Sequence, residues 1–105
     1  MTQTGVMKVI IESPFAGDKE RNIKYARQCL LDSLMRGESP IAFHLLYTQV
    51  LNDDIEQDRV KGIMRSFEWQ RSADLIAFYT DYGMSKGMEM AEENSKNKMV
   101  YRKIL

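Results

Sequence analysis

Val9-Ile10-Ile11-Glu12-Ser13-Pro14-Phe15-Ala16-Gly17-Asp18 is the stretch that decides the fold. An apolar, β-branched run stops abruptly in a Ser-Pro turn. A small-residue loop follows, and a long helical segment begins after Asp18. A continuous apolar run predicts a strand covered on both faces, here Met7 to Ile11 with only Lys8 charged. Strand, loop and helix in that order open a parallel α/β unit. Such units present the C-terminal end of the strand to a crevice and aim the N-terminus of the next helix at it. The segment therefore predicts a ligand edge together with a fold.

The rest of the chain repeats the alternation. Asp18 predicts an N-cap for a helix over about Lys19 to Arg36, with Gly37 as its stop. Ile23, Ala26, Leu30 and Leu34 recur at helical spacing and predict its buried stripe, with Cys29 near the edge as a small core residue. Pro40-Ile41-Ala42-Phe43 reads as a second strand that delivers His44 at its C-terminal end. Asn52-Asp53-Asp54 is a turn into a helix over about Ile55 to Gln70, whose apolar face is Val60, Ile63, Met64 and Phe67. Gly62 inside it either permits close packing or weakens the helix. Ala73 to Tyr79 is the clearest strand, and Thr80-Asp81-Tyr82-Gly83 is its exit loop. A helix over about Ser85 to Ser95 and a last strand over Lys98 to Ile104 complete the chain, with Met99 and Tyr101 on one strand face and Val100 and Arg102 on the other. The order β-α-β-α-β-α-β predicts one α/β domain over residues 1–105. It is Rossmann-like or flavodoxin-like, with a parallel sheet of four or five strands and helices on both faces.

Composition narrows the function classes. The 105 residues carry 15 basic and 15 acidic side chains, a net charge of zero that argues against direct nucleic-acid binding or bulk attraction to an anionic membrane. No apolar run approaches the roughly 20 residues of a membrane span. Met1 to Gly5 lack the basic and apolar regions of a signal peptide, and the single cysteine cannot form an internal disulfide. The expectation is a cytoplasmic protein, in the host cytoplasm if phage-encoded. One cysteine and one histidine argue against a zinc site, so no metal and no cofactor is expected.

Three strand exits gather on one sheet edge. The first offers Glu12, Ser13, Pro14, Phe15, Gly17 and Asp18; the second offers His44 and Tyr47; the third offers Asp81, Gly83, Ser85 and Gly87. Carboxylates, hydroxyls, an imidazole and aromatic faces suit a sugar and a base, and helix N-termini suit a phosphate. His44 is read either as a ligand group or as a tie between loops. Asp81 is read as a grip on ribose hydroxyls or as a loop cap. Glu12 is read as a site residue or as a carboxylate solvated at the sheet rim. Met84, Met88 and Met99 fill core or line a pocket. Phe67 and Trp69 pack.

Ile10-Ile11-Glu12-Ser13-Pro14-Phe15-Ala16-Gly17-Asp18, then Asn22 and Tyr25-Ala26-Arg27, resemble the opening of nucleoside 2-deoxyribosyltransferase-like proteins. Pro40 to Tyr47 and Asp81 to Met88 continue the likeness, which is closest to a compact branch common in phage and bacterial genomes. The resemblance implies a Rossmann-like fold, homo-oligomers, and sites for nucleosides or nucleotides completed by a neighbouring copy, for which Tyr47, Gln49 and Asn52 to Asp54 are candidates. It also implies a glutamate that attacks the anomeric carbon. The chain departs from that pattern twice. Ile10 stands where the family has a supporting tyrosine. Counting four residues from Gly83 or from Gly87 reaches Gly87 or Ala91, neither a carboxylate. Glu89, Glu92 and Glu12 are the remaining catalytic candidates.

Three readings follow, in this order. The first is a protein that holds a nucleotide or nucleoside derivative, as a phage-type protein sequestering a nucleotide signal would. The second is an active N-glycosidase or deoxyribosyltransferase. The third is a structural or regulatory homo-oligomer with a vestigial pocket.

Overall fold

The computed structural model describes residues 5–104; the signal-peptide reading rests largely on residues outside that range. Four strands form one all-parallel sheet: β1 (Lys8–Glu12), β2 (Ser39–Ile41), β3 (Leu75–Tyr79) and β4 (Met99–Arg102). Their spatial order is β2-β1-β3-β4. The connecting helices are α1 (Lys19–Met35), α2 (Glu56–Gln70) and α3 (Lys86–Ser95). The chain is thus an α/β domain of the expected class.

The topology fixes which face each helix covers. The step from β1 to β2 moves one way across the sheet and the step from β3 to β4 moves the other. Right-handed crossovers in opposite directions put their helices on opposite faces. Accordingly Tyr25 and Cys29 of α1 pack on Val9, Ile11, Ala77 and Tyr79. Met88 and Ala91 of α3 pack on Ile10, Ile76 and Phe78. Met84, Met99 and Phe67 of α2 join that second cluster, and Val100 joins the first. Burial pushes the Cys29 thiol up to about 12, so this cysteine is a packing residue.

Two expectations need correction. The inward stripe of α1 is Asn22, Tyr25, Ala26, Cys29 and Ser33, while Leu34 is 56% exposed and Ile23 and Leu30 are half-buried. The polar members are buried with partners. Asn22 Nδ2 donates to the Phe15 and Ala16 carbonyls, and Tyr25 and Ser33 donate to Asp81 and Glu38. Hydrogen bonds outweigh hydropathy in setting the helix's rotation. The second strand ends at Ile41 instead of Phe43. Its pairing with β1 stops at Ile10↔Ile41, and the chain then tightens into 3₁₀ turns at Phe43–Leu45 and Tyr47–Gln49. His44 therefore projects from a tight turn, not directly from the strand.

The helix ends are as the sequence indicates. The Asp18 carboxylate accepts from the Arg21 N–H, and Gly37 supplies the left-handed residue after α1 at φ +86°. Among the described residues no helix is long and apolar enough to cross a membrane.

Candidate functional site

The order of strands reverses between β1 and β3, so the crevice of this sheet opens beyond their C-terminal ends. A cavity of about 320 Å³ lies at the exit of β1, roofed by α2 and bounded by α3 and the two 3₁₀ turns. α2 packs chiefly on α3 and on the Phe43–Leu45 turn, which leaves space between it and the sheet edge.

Glu12, Ser13 and His44 form the polar end of the lining at the β1 exit, and Thr48, Ser66 and Ser85 add hydroxyls elsewhere. Ser13 Oγ and His44 Nε2 are 2.8 Å apart and hydrogen-bonded. The direction of donation follows the imidazole tautomer. The His44 carbonyl accepts from Thr48 Oγ1 at 2.7 Å, fixing the turn that carries it. Burial depresses the His44 ring to about 4, so it is neutral at neutral pH. Burial also pushes the Glu12 carboxyl up to about 8. Among the described residues, no cation and no hydrogen-bond donor is paired with Glu12. Phe43, Tyr47 and Phe67 supply aromatic walls. The Phe43 ring stacks on Tyr47 at 5.5 Å and on Trp69 at 5.6 Å, and the Trp69 indole N–H donates to the Tyr47 hydroxyl at 3.1 Å. The charged rim holds Asp53, Glu56, Asp58, Arg59 and Lys86.

Of the residues the sequence singled out, Glu12, Ser13, Phe15, His44, Tyr47, Ser85 and Gly87 line this cavity. Pro14, Gly17, Asp18, Asp81, Gly83, Glu89 and Glu92 do not. Gly17 and Gly83 make turns at φ +93° and +79°, and Asp18 caps α1. Asp81 is engaged on the α1 side of the sheet. Its carboxylate accepts from the Tyr25 hydroxyl at 2.7 Å, and its own N–H donates to that hydroxyl at 3.0 Å. Tyr82 packs edge-on against Tyr25 with the Arg21 guanidinium over its ring. α3 turns Met88 and Ala91 to the sheet and Gly87 and Met90 to the cavity, which leaves Glu89 exposed and Glu92 half-buried elsewhere on the helix. The Asn52–Asp54 turn is closed within the chain: Asn52 Oδ1 accepts from the Asp54 N–H, and Asp54 pairs with Lys19 at 2.8 Å.

Sequence reasoning named Asn22 without its role, which is to tie down the loop after β1, and missed the lining contributed by Arg59, Ile63 and Ser66 of α2. No local signal marks the latter, because they reach the site only through the placement of α2. Among the described residues, no three His, Cys, Asp or Glu side chains group so as to hold a metal ion.

Residues 7–104 match the family described as Domain of unknown function (DUF7768), and the chain belongs to that family. No curated protein and no solved structure matches it.

Proposed function

We propose that this family member binds a nucleoside or a nucleoside-derived small molecule at the C-terminal edge of its sheet. The observation that carries the reading is the cavity itself: a polar end made by Glu12, Ser13 and His44 beside aromatic walls from Phe43, Tyr47 and Phe67. That combination suits a ligand with one planar face and several hydrogen-bonding groups. Its volume of about 320 Å³ sits at the lower end of the roughly 300–1,000 Å³ of small-molecule pockets, enough for one nucleoside. The likeness of the Glu12 to Asp18 loop to nucleoside 2-deoxyribosyltransferase-like proteins supports the same class of ligand. Binding without that family's glycosyl transfer is favoured because Ile10 lacks the supporting hydroxyl and Glu89 and Glu92 do not line the cavity.

The test is a thermal-shift screen over nucleosides and nucleoside monophosphates, followed by chromatography of each ligand after incubation. A ligand present at about 100 times its dissociation constant adds about 2.7 kcal/mol to stability, a shift of roughly 10 °C or more in Tm for a domain of this size. The expected result is a shift with the ligand recovered intact. Absence of any shift overturns the reading. Release of free base favours the second reading, an N-glycosidase, for which Glu12 is the carboxylate that lines the cavity at the β1 exit.

We further propose a homo-oligomer. Leu31, Leu34 and Met35 of α1 are 59%, 56% and 79% exposed and form an apolar outer strip that supports self-association.

A further inference from the structure

Glu12 is the anomaly of the site. It follows the buried apolar run Val9-Ile10-Ile11, is half-buried, and pairs in register with Phe78 of β3. Its neighbour Ser13 has its hydroxyl taken up by His44, which is 31 residues away in sequence. Asp18, Asp32, Glu38, Asp54, Asp58, Asp74 and Asp81 all accept hydrogen bonds or pair with cations within the chain. Glu12 does neither among the described residues; nor do Asp53 and Glu56 at the charged rim of the cavity, but Glu12 sits at the end of a buried strand. The cations lining the cavity, Arg59 and Lys86, belong to α2 and α3 and form no ion pair with it. An ionised carboxylate left without a cation or a donor in such a place is expensive, and the neutral acid is the form that such a site holds. A neutral carboxylic acid has one O–H to donate. Among the described residues no acceptor is bonded to it, and the group faces a cavity.

We infer that Glu12 is the specificity-determining donor of this pocket, giving its O–H to a ring nitrogen or carbonyl oxygen of a heterocyclic base. The inference rests on the proposed nucleoside reading and adds the atom through which the base is recognised. The Ser13–His44 hydrogen bond is a positioning contact: it fixes the backbone next to Glu12. The aromatic walls hold the face of the base while Glu12 reads its edge.

The experiment is a titration of the full chain with adenosine and with cytidine, followed through the fluorescence of Trp69, the only tryptophan. Wild-type protein, Glu12→Gln and Glu12→Ala are compared from about pH 6 to about pH 9, where neither probe titrates. Glutamine keeps a donor at the same reach and cannot ionise. Wild-type affinity is therefore expected to fall as the pH rises past about 8, while Glu12→Gln binds with the same affinity throughout. Glu12→Ala binds roughly three- to tenfold more weakly at the acid end, the worth of one hydrogen bond. Adenosine analogues with a carbon replacing one ring nitrogen then identify the acceptor, because the correct deletion weakens wild type and leaves Glu12→Ala unchanged. A wild-type affinity that is flat or rises with pH, or Glu12→Gln binding as poorly as Glu12→Ala, overturns the inference and leaves the nucleoside reading standing. No binding of either probe by any variant at any pH overturns both. Circular dichroism of each variant establishes that it is folded before it is scored.

Discussion

Glu12 and His44 are displaced from their ordinary ionisation in opposite senses, and both displacements come from burial. The consequence for stability has a definite sign. The Glu12 acid is held protonated up to about 8 in the folded chain, against an ordinary 4.5, so its contribution is fully present below about 4.5 and is lost as the pH rises towards 8. The His44 ring refuses a proton down to about 4, against an ordinary 6.5, so its contribution is lost as the pH falls from 6.5 through 4. The slopes oppose one another between 4.5 and 6.5, and above 6.5 the Glu12 slope stands alone. Urea denaturation across this range should find the wild type weaker at pH 8 than at pH 6.5, with Glu12→Gln flat over that interval. Equal slopes in the two proteins would mean that another group causes the decline. The sequence marks Glu12 because a carboxylate is out of place at the end of Val9-Ile10-Ile11. It does not mark the bond between Ser13 and His44, since nothing local relates residues 31 positions apart.

The helices differ in how far their patterns can be read. α3 has its bounds legible, from about Ser85 to Ser95, while the cap made by Ser85 and the packing of Met88 and Ala91 on the sheet come from the structure. α1 has correct ends and a misread face, because its buried Asn22, Tyr25 and Ser33 count as polar or ambivalent until their partners are known. α2 is the least tied to its pattern. Val60 and Met64, expected inside, are 39% and 52% exposed, because this helix spans the cavity instead of lying on the sheet. Gly62 is instructive here. A Cβ at this position would meet Leu51 Cδ1 at 3.4 Å and Tyr47 Cβ at 3.7 Å, which is ordinary contact. Close packing therefore does not require a glycine, and the helix bears its conformational freedom for nothing in the folded core. Gly62→Ala is expected to stabilise the protein by about 0.5–1 kcal/mol, read as a higher urea midpoint. A lower midpoint would show that Leu51 and Tyr47 cannot give way.

At the scale of the whole molecule, one polar network holds distant parts of the chain together. The Arg102 guanidinium at the end of β4 is 8% exposed and binds both oxygens of Glu38 at 2.9 and 2.8 Å. It also donates to the Tyr79 hydroxyl, which in turn donates to Asp32 of α1. Desolvation pushes the Glu38 carboxyl up, but the hydrogen bonds from Arg102 and Ser33 and the charges of Arg102 and Arg36 outweigh it and hold it below the ordinary carboxylate range. Removing one partner strands the other: Arg102→Met is expected to lose about 3–5 kcal/mol, a large share of the roughly 5–15 kcal/mol of a whole domain. The double replacement Arg102→Met with Glu38→Leu should lose less, because no charge is left unpaired. A double variant as weak as the single one would refute that account. The parallel pairing was legible from the alternation of strands and helices, whereas the strand order and this network were not, because the network joins α1, β3, β4 and the loop carrying Glu38 at once. The sheet carries one further consequence. Val9 pairs with Leu75 at the central seam, and α1, β2 and α2 all lie between them along the chain. Each βαβ half is assembled from near neighbours, yet Ile10 and Ile11 are only half covered until β3 arrives beside them. The β1–β3 pairing is thus the most non-local contact of the sheet, and closing the long loop between its partners costs entropy that no helix propensity repays.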